Sequence, residues 1–241
     1  MTQSKKNNEI EFFDKFCDLD YDVFGKSGYD RILNEFKRYI KPKKGEKLVD
    51  FGCGTGAFTK YLLRYKLDII GIDISPKSIK LAKKRFSKIN FIIGDIEKTK
   101  LKANSVDIVL FSGVLHHFDD FTKTMKEAYR ILKPDGRIFA YDPNKNNPVM
   151  WLYRDENSPV CSTKGRTDNE RLLTIKEIKK VVKKSGFKKN KIYAISGVTY
   201  KYVESNLGKL ILPFYNLFEI IFDYLPFSNK YGSFIITCAK K

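Results

Sequence analysis

The sequence predicts an α/β fold, a mostly parallel sheet with helices on both faces, and three observations carry that prediction. From residue 47 onward short apolar runs alternate with amphipathic stretches. A glycine-rich turn, Gly52-Cys53-Gly54-Thr55-Gly56, stands between the first run and the first of those stretches. The chain has 241 residues, 42% of them hydrophobic, enough for one sizeable core. Strands that alternate with helices need crossover connections, and crossovers make neighbouring strands parallel.

Residues 1–41 read as a polar start followed by helix, with Phe12, Phe13 and Phe16 and then Ile32, Leu33, Phe36 and Ile40 at helical spacing. Pro42 and Gly45 break that pattern, which predicts an N-terminal helical cap over 1–41 on a main domain over 42–241. Strands are expected at Lys47 to Phe51, Asp68 to Asp73 and Asn90 to Ile93, with helices beginning near Ala57 and Pro76. A fourth strand, Val106 to Phe111, leads to a helix from Thr122 to Leu132, a turn at Lys133-Pro134-Asp135-Gly136, and a fifth strand from Arg137 to Tyr141.

The next segment, 143–173, holds Pro143, Pro148, Pro159 and Gly165 and is far longer than an ordinary connection, so it is expected to be an insertion that shapes a pocket. Thr174 and Glu177 form a capping box for the following helix: the threonine oxygen takes a free amide, the glutamate reaches back to the cap amide, and Gly186 ends the helix. Two late strands, Lys191 to Ile195 and Ser233 to Ala239, flank a second insertion over 197–231. Within it, 207–227 is apolar except for Lys209 and for Asn216, Glu219 and Asp223, which share one helical stripe. Pro213, Pro226 and the acids argue against a membrane span. Three readings stand: a helix covering the sheet, a wall of a hydrophobic pocket, or an interfacial membrane helix. The missing lysine-rich polar face favours the first two.

A formal net charge of +18 suits nucleic acid or an anionic membrane surface. Lysine far outnumbers arginine, however, and Asn, Ile, Phe and Tyr are also abundant, as an AT-rich codon usage alone would produce. Cys17, Cys53, Cys161 and Cys238 are scattered without metal-site spacing, so neither a disulfide framework nor a structural metal is signalled. The polar start lacks a following apolar segment of the signal-peptide kind. A cytoplasmic protein is expected, with peripheral membrane contact through 207–227 as the variant.

The chemistry concentrates after the first strand. Glycine is required in the turn because a side chain would hold a ligand away from the backbone and because the turn needs unusual dihedrals. The spacing Gly52-x-Gly54-x-x-Ala57 also satisfies a dinucleotide fingerprint, and Asp73 stands where an acid serves a ribose in either case. Two further acids shift the balance. Asp50, just before the first glycine, suits the ammonium end of an amino-acid-bearing cofactor and would repel a pyrophosphate. Asp95, at the end of the third strand, is placed to accept from an adenine amino group. Acids at successive strand tips suit a cationic nucleoside.

These motifs resemble those of the class I S-adenosylmethionine-dependent methyltransferases of the type 11 kind. Asp50-Phe51-Gly52-Cys53-Gly54-Thr55-Gly56 is similar to the family's first motif, Gly71-Ile72-Asp73-Ile74-Ser75 to its ribose strand and Gly94-Asp95-Ile96 to its adenine motif. Ser112-Gly113-Val114-Leu115-His116-His117-Phe118 resembles the segment after the fourth strand, and Ile131-Leu132-Lys133-Pro134-Asp135-Gly136-Arg137 the turn into the fifth. The resemblance implies a Rossmann-like seven-stranded sheet in the order 3-2-1-4-5-7-6 with the last strand antiparallel. It also implies S-adenosylmethionine as cofactor, S-adenosylhomocysteine as product, and a cofactor site comprising Asp50, Gly52, Cys53, Gly54, Gly56, Asp73, Ile74, Asp95, Ile96, Ser112, Gly113 and His117.

His116 and His117, the only histidines, fall at a strand's C-terminal end, where sites of open α/β sheets gather. Either is a candidate general base for a hydroxyl nucleophile, and both equally suit a pocket wall. Ubiquinone-type O-methyltransferases carry metal-holding acids near here; this chain has Gly113 and His116 instead, so no metal dependence is expected. Acceptor contacts are expected from Tyr21, Phe24 and Tyr29 and from Asn144, Trp151, Tyr153, Arg154, Arg166 and Arg171, with lid packing as the alternative for Trp151 and Tyr153. The expected function is O-methylation of a small-molecule acceptor of quinone, lipid or glycan type. An RNA methyltransferase and a nicotinamide-dependent oxidoreductase are the alternatives.

Overall fold

The computed structural model describes residues 1–17, 23–159, 161, 166–201, 203 and 206–241. In chain order the elements are α1 (Gln3–Phe16), α2 (Lys26–Ile40), β1 (Lys47–Phe51), α3 (Thr59–Leu62), β2 (Asp68–Asp73), α4 (Pro76–Arg85), β3 (Asn90–Ile93) and β4 (Val106–Ser112). They continue with α5 (Thr122–Ile131), β5 (Leu132–Pro143), α6 (Pro148–Arg154), α7 (Ile175–Lys184), β6 (Lys188–Ile195), α8 (Asn206–Phe222), α9 (Ser228–Tyr231) and β7 (Phe234–Lys240). The sheet has seven strands in the order β3-β2-β1-β4-β5-β7-β6, as expected. Only β7 runs against its neighbours, pairing antiparallel with both β5 and β6.

Alternating side chains of the central strands feed two apolar layers. Leu48, Ile108 and Leu110 point to one face, where they meet Ile32, Leu33 and Phe36 of α2 with Ile79 and Ala82 of α4. Val49, Phe51, Val109 and Phe111 point to the other, against Met125, Ala128 and Ile131 of α5 and Ile178 and Val182 of α7. Each fully buried aliphatic or phenyl group here contributes about 1.5–3 kcal/mol relative to exposure. The helix α2 thus packs on one face of the sheet, whereas α1 lies beside the strand tips, where Lys6 meets Asp95 and Glu9 meets His117.

Two expectations about helices need correction. Thr174 Oγ1 does accept from the Glu177 amide at 3.2 Å, but Glu177 does not reach back to the cap. Its carboxylate instead pairs with Arg171. The second concerns 207–227. A helix forms, but it does not lay its apolar face on the sheet: among the described side chains of α8 only Glu219 and Phe222 are buried. The polar stripe faces the protein. Asn216 exchanges hydrogen bonds with the Tyr200 backbone at 2.9 Å each, Glu219 accepts from Ser233 Oγ at 2.6 Å, and Asp223 pairs with Arg31 at 2.8 Å. Among the described residues no helix is long and apolar enough to cross a membrane.

Candidate active site

The parallel strands β1, β2 and β4 end along one edge of the sheet, and a cleft of about 930 Å³ opens beside their tips. Its first wall is the turn after β1. Gly52 adopts φ 71° and its missing Cβ would lie 2.5 Å from Val114 Cγ2, so only glycine fits against the segment following β4. Gly54 adopts φ 52°, and a Cβ there would project into open space on the cleft side. Gly56 stands off the cleft; a Cβ on it would press on Phe86 and Phe91 at 3.0–3.2 Å, so this glycine serves helix–strand packing.

The three acids behave differently. Asp73 lines the cleft, and its Oδ2 accepts from the Gly54 amide at 2.8 Å while Oδ1 accepts from Ser75 at 2.9 Å. It therefore braces the glycine turn from the second strand tip. Burial raises its pKa despite those amides. Asp95 also lines the cleft, but its Oδ2 is paired with Lys6 of α1 at 2.6 Å and its Oδ1 with the Glu97 amide at 2.8 Å. Asp50 corrects the expectation of direct contact with a cofactor ammonium. Its carboxylate is wholly buried beneath the turn, accepting from Thr59 Oγ1 and Ser112 Oγ at 2.6 Å each, and burial pushes it up to about 7. It positions the turn and Ser112 instead of facing the cleft.

Cys53, Ile74, Ile96, Ser112, Gly113 and His117 all line the cleft. His117 is gripped from α1: Glu9 Oε2 lies 3.1 Å from its Nδ1, with Thr167 Oγ1 at 3.2 Å. Burial alone would lower the His117 pKa, but Glu9 outweighs it and holds the imidazole above its ordinary value. Reciprocally, burial would raise Glu9, yet bonds from His117, Thr167 and Asn169 keep it below its own. His116 has a different partner. Its Nδ1 lies 3.0 Å from Oδ1 of Asp142, which is fully buried at the end of β5 and also accepts the His116 amide at 3.2 Å. Burial pushes Asp142 up to about 8. Burial, with positive His117 beside it, drives His116 down to about 3.

The far wall carries Tyr29, Phe24, Tyr153 and Arg154, and Arg154 bonds Glu170 at 2.6 Å. Four expected acceptor contacts do not reach the cleft. Asn144 is fully buried and donates to the carbonyls of Lys230 and Gly232, tying the end of β5 to the α9–β7 corner. Arg166 donates to the carbonyls of Arg154 and Glu170, so it holds the loop together from behind. Trp151 sits on the outer side of α6, partly exposed and away from the cleft lining. Arg171 likewise braces the carbonyls of Phe118 and Asp119. Tyr21 lies outside the described residues.

Glu9, Asp142 and Glu170 were not singled out from the sequence. For Asp142 a signal existed, since it ends a parallel strand on the edge where such sites collect; Glu9 and Glu170 carry no local mark. Glu170 also bears on metals: with His116 and His117 it presents ligand atoms all within 4.8 Å of one another. Its carboxylate is, however, neutralised by Arg154, and a dication there would face that guanidinium.

A glycine turn open to ligand, a carboxylate at the second strand tip and the strand order 3-2-1-4-5-7-6 define an S-adenosylmethionine-dependent methyltransferase. The residues fit that cofactor: Gly52, Cys53, Gly54 and Thr55 line the cleft, Gly54 leaves room for close approach, and Asp73 keeps lone pairs for hydroxyl donors. Comparison with known proteins agrees. Residues 49–140 match the family described as a methyltransferase domain. The ubiquinone biosynthesis O-methyltransferase of Coxiella burnetii (strain Dugway 5J108-111) is 29% identical over 157 residues, covering 61% of this chain and 67% of that protein. The enzyme of the same name from Pelagibacter ubique (strain HTCC1062) is 31% identical over 161 residues, covering 59% and 67%. Among solved structures, phosphoethanolamine N-methyltransferase 2 of Haemonchus contortus in complex with S-adenosyl-L-methionine has a TM-score of 0.65 at 18% identity, covering 88% of this chain and 52% of that one. The chain belongs to the class I S-adenosylmethionine-dependent methyltransferases.

Proposed function

We propose that the enzyme methylates a hydroxyl oxygen on a small acceptor with a largely apolar body, of quinol or lipid type, and that His116 removes the proton. The observation that carries this reading is the His116–Asp142 dyad set into a cleft walled mainly by apolar and aromatic side chains. The bound cofactor supplies a methyl group already activated by its positive sulfur. The protein's own work is then alignment and proton handling.

Gly52, Cys53, Gly54, Asp73, Ile74, Asp95, Ile96, Ser112 and Gly113 are assigned to the cofactor. Asp50 and Gly56 support them from beneath. Tyr29, Phe24 and Tyr153 are assigned to the acceptor's apolar body, and the Arg154–Glu170 pair to its polar end. With Asp142 ionised, His116 donates Nδ1–H to it and leaves the Nε2 lone pair as the proton acceptor. When Asp142 keeps its proton, it donates to Nδ1, and the imidazole proton is forced onto Nε2. The same carboxylate then steadies the imidazolium as the acceptor's proton arrives.

The names of the Coxiella and Pelagibacter relatives support a quinol-type acceptor. A glycan fits the apolar lining poorly, and so does an RNA backbone, whose phosphates need a cationic track at the site. The test is incubation with methyl-labelled S-adenosylmethionine and, separately, a prenylated catechol, a reducing sugar and total RNA. Label on the catechol oxygen is expected. Label in RNA with none in the catechol overturns the reading.

A further inference from the structure

The helix α8 is built the wrong way round for a water-facing surface. Its polar stripe is spent on the protein, through Asn216 to the Tyr200 backbone, Glu219 to Ser233 and Asp223 to Arg31. Leu210, Phe214, Leu217 and Ile221 recur at helical spacing on the opposite side, with Tyr224 in the turn just past the helix, and Leu210, Phe214 and Tyr224 are 72%, 73% and 86% exposed. Three independent polar anchors set this orientation, so the outward apolar stripe belongs to the fold. Contiguous apolar surface of this kind marks an interaction site.

We propose that this face of α8 seats on an anionic phospholipid membrane, and that the acceptor enters the cleft from that surface. The entry part rests on the apolar-acceptor reading above; the docking part does not. Charge selects the occupant. Over residues 206–231 the acids are Glu219 and Asp223, both turned to the protein, while Lys209 and Lys230 stand exposed at the two ends. The outward side is therefore apolar and carries no acid, on a chain of net charge +18, the combination that attracts acidic headgroups. A second copy would bring like charge against like. Not long and apolar enough to cross the bilayer, α8 is suited to lie in its interface.

The same helix joins this surface to the cleft. Ile211, Leu212 and Tyr215 line the cleft while Phe214, Leu217 and Ile221 face outward, so one helix forms both the docking face and part of the wall. Across the opening, Leu152 of α6 lines the cleft and is itself 45% exposed, with Trp151 beside it. Amphipathic aromatic rings such as Trp151 and Tyr224 favour the headgroup level of a bilayer. An acceptor with a long apolar tail would pass from lipid to cleft without crossing water.

Cosedimentation with vesicles of phosphatidylglycerol and phosphatidylcholine in equal parts tests the docking. The wild-type chain is expected to pellet with them, and less with phosphatidylcholine alone. The variant Phe214→Ser/Leu217→Ser/Ile221→Ser, altered only at exposed positions, should fold with an unchanged circular dichroism spectrum and bind S-adenosylhomocysteine normally. Its vesicle partition coefficient should fall at least about 100-fold. It should still turn over a short-tailed catechol in solution while losing turnover on a long-tailed one embedded in vesicles. Failure on the soluble catechol in the wild type removes the acceptor reading and leaves the docking result standing. Docking is overturned if the wild type stays in the supernatant, if the variant pellets equally well, or if this face instead forms a dimer in solution.

Discussion

The two walls of the cleft are assembled by different routes. On the cofactor side Gly52, Gly54, Asp73 and Asp95 stand at the tips of adjacent parallel strands, and Asp73 braces the Gly54 amide across two of them. On the acceptor side Glu9 comes from α1, His116 from the turn after β4, Asp142 from β5 and Glu170 from the loop before α7, joined only in three dimensions. The first wall is a local consequence of strand–turn–helix geometry, which leaves it little freedom to vary. The second is a meeting of remote segments, where chemistry can be altered without disturbing the cofactor. The comparison predicts that damage to the acceptor wall lowers turnover with cofactor affinity intact.

The largest expected effect follows directly. His116→Ala should lower kcat by about 100- to 10,000-fold, the usual range for a lost general base. Its cofactor Kd, measured by calorimetry, should stay near wild type. A parallel collapse of cofactor binding would mean that the two walls are not separable.

A smaller effect should appear in the pH dependence. The base-competent dyad requires Asp142 ionised, and burial has pushed that carboxyl up to about 8, while His116 stays neutral above about 3. Turnover should therefore rise with pH and level off above about 8. In Asp142→Asn that step should vanish and kcat should fall by about 10- to 100-fold. A wild-type profile flat from pH 6 to 9, at roughly constant chemistry-limited rate, would count against the dyad.

The legibility of the sequence follows the same division. The individual strands and the glycine turn could be read because their determinants lie within a strand and the turn that follows it, whereas the strand order, a matter of long-range pairing, came from the family resemblance. Asp50 was located correctly but its direction was not: only tertiary structure shows that Thr59 and Ser112 take its oxygens. Asn144 and Arg166 have side chains suited to binding a ligand, yet both are consumed by backbone carbonyls from other segments, and such pairings leave no mark in local sequence. In α8, periodicity disclosed the polar stripe at 216, 219 and 223 but not which side the protein occupies. Arg31 and Ser233, far away in sequence, decide that.

The junction between the walls gives a smaller prediction still. Glu9 and His117 clamp α1 over the cleft. The lowered Glu9 value makes its contribution full above 4.5 and lost as pH falls through that lowered value. The raised His117 value makes its contribution full below 6.5 and lost as pH rises through the raised value. Docking of α1 should thus be firmest between these limits and loosen toward alkaline pH. In hydrogen exchange, Glu9→Gln should reduce protection of the α1 amides by roughly tenfold near pH 6 and by much less at pH values where His117 is already neutral. Least of all should change on chelation: because Arg154 neutralises Glu170, treatment with EDTA is expected to leave turnover unaltered, and a loss restored by one divalent ion would assign the His116–His117–Glu170 cluster to a metal.

The central claim is that the strand tips of β1 and β2 hold S-adenosylmethionine through the glycine turn and Asp73. Calorimetric titration of S-adenosylhomocysteine into the wild type and into Asp73→Ala tests it most directly. Asp73 braces the Gly54 amide and offers its carboxylate to the cleft, so the variant should bind at least about 100-fold more weakly, the loss expected when charged hydrogen bonds disappear. Equal affinity in the two proteins would contradict the account.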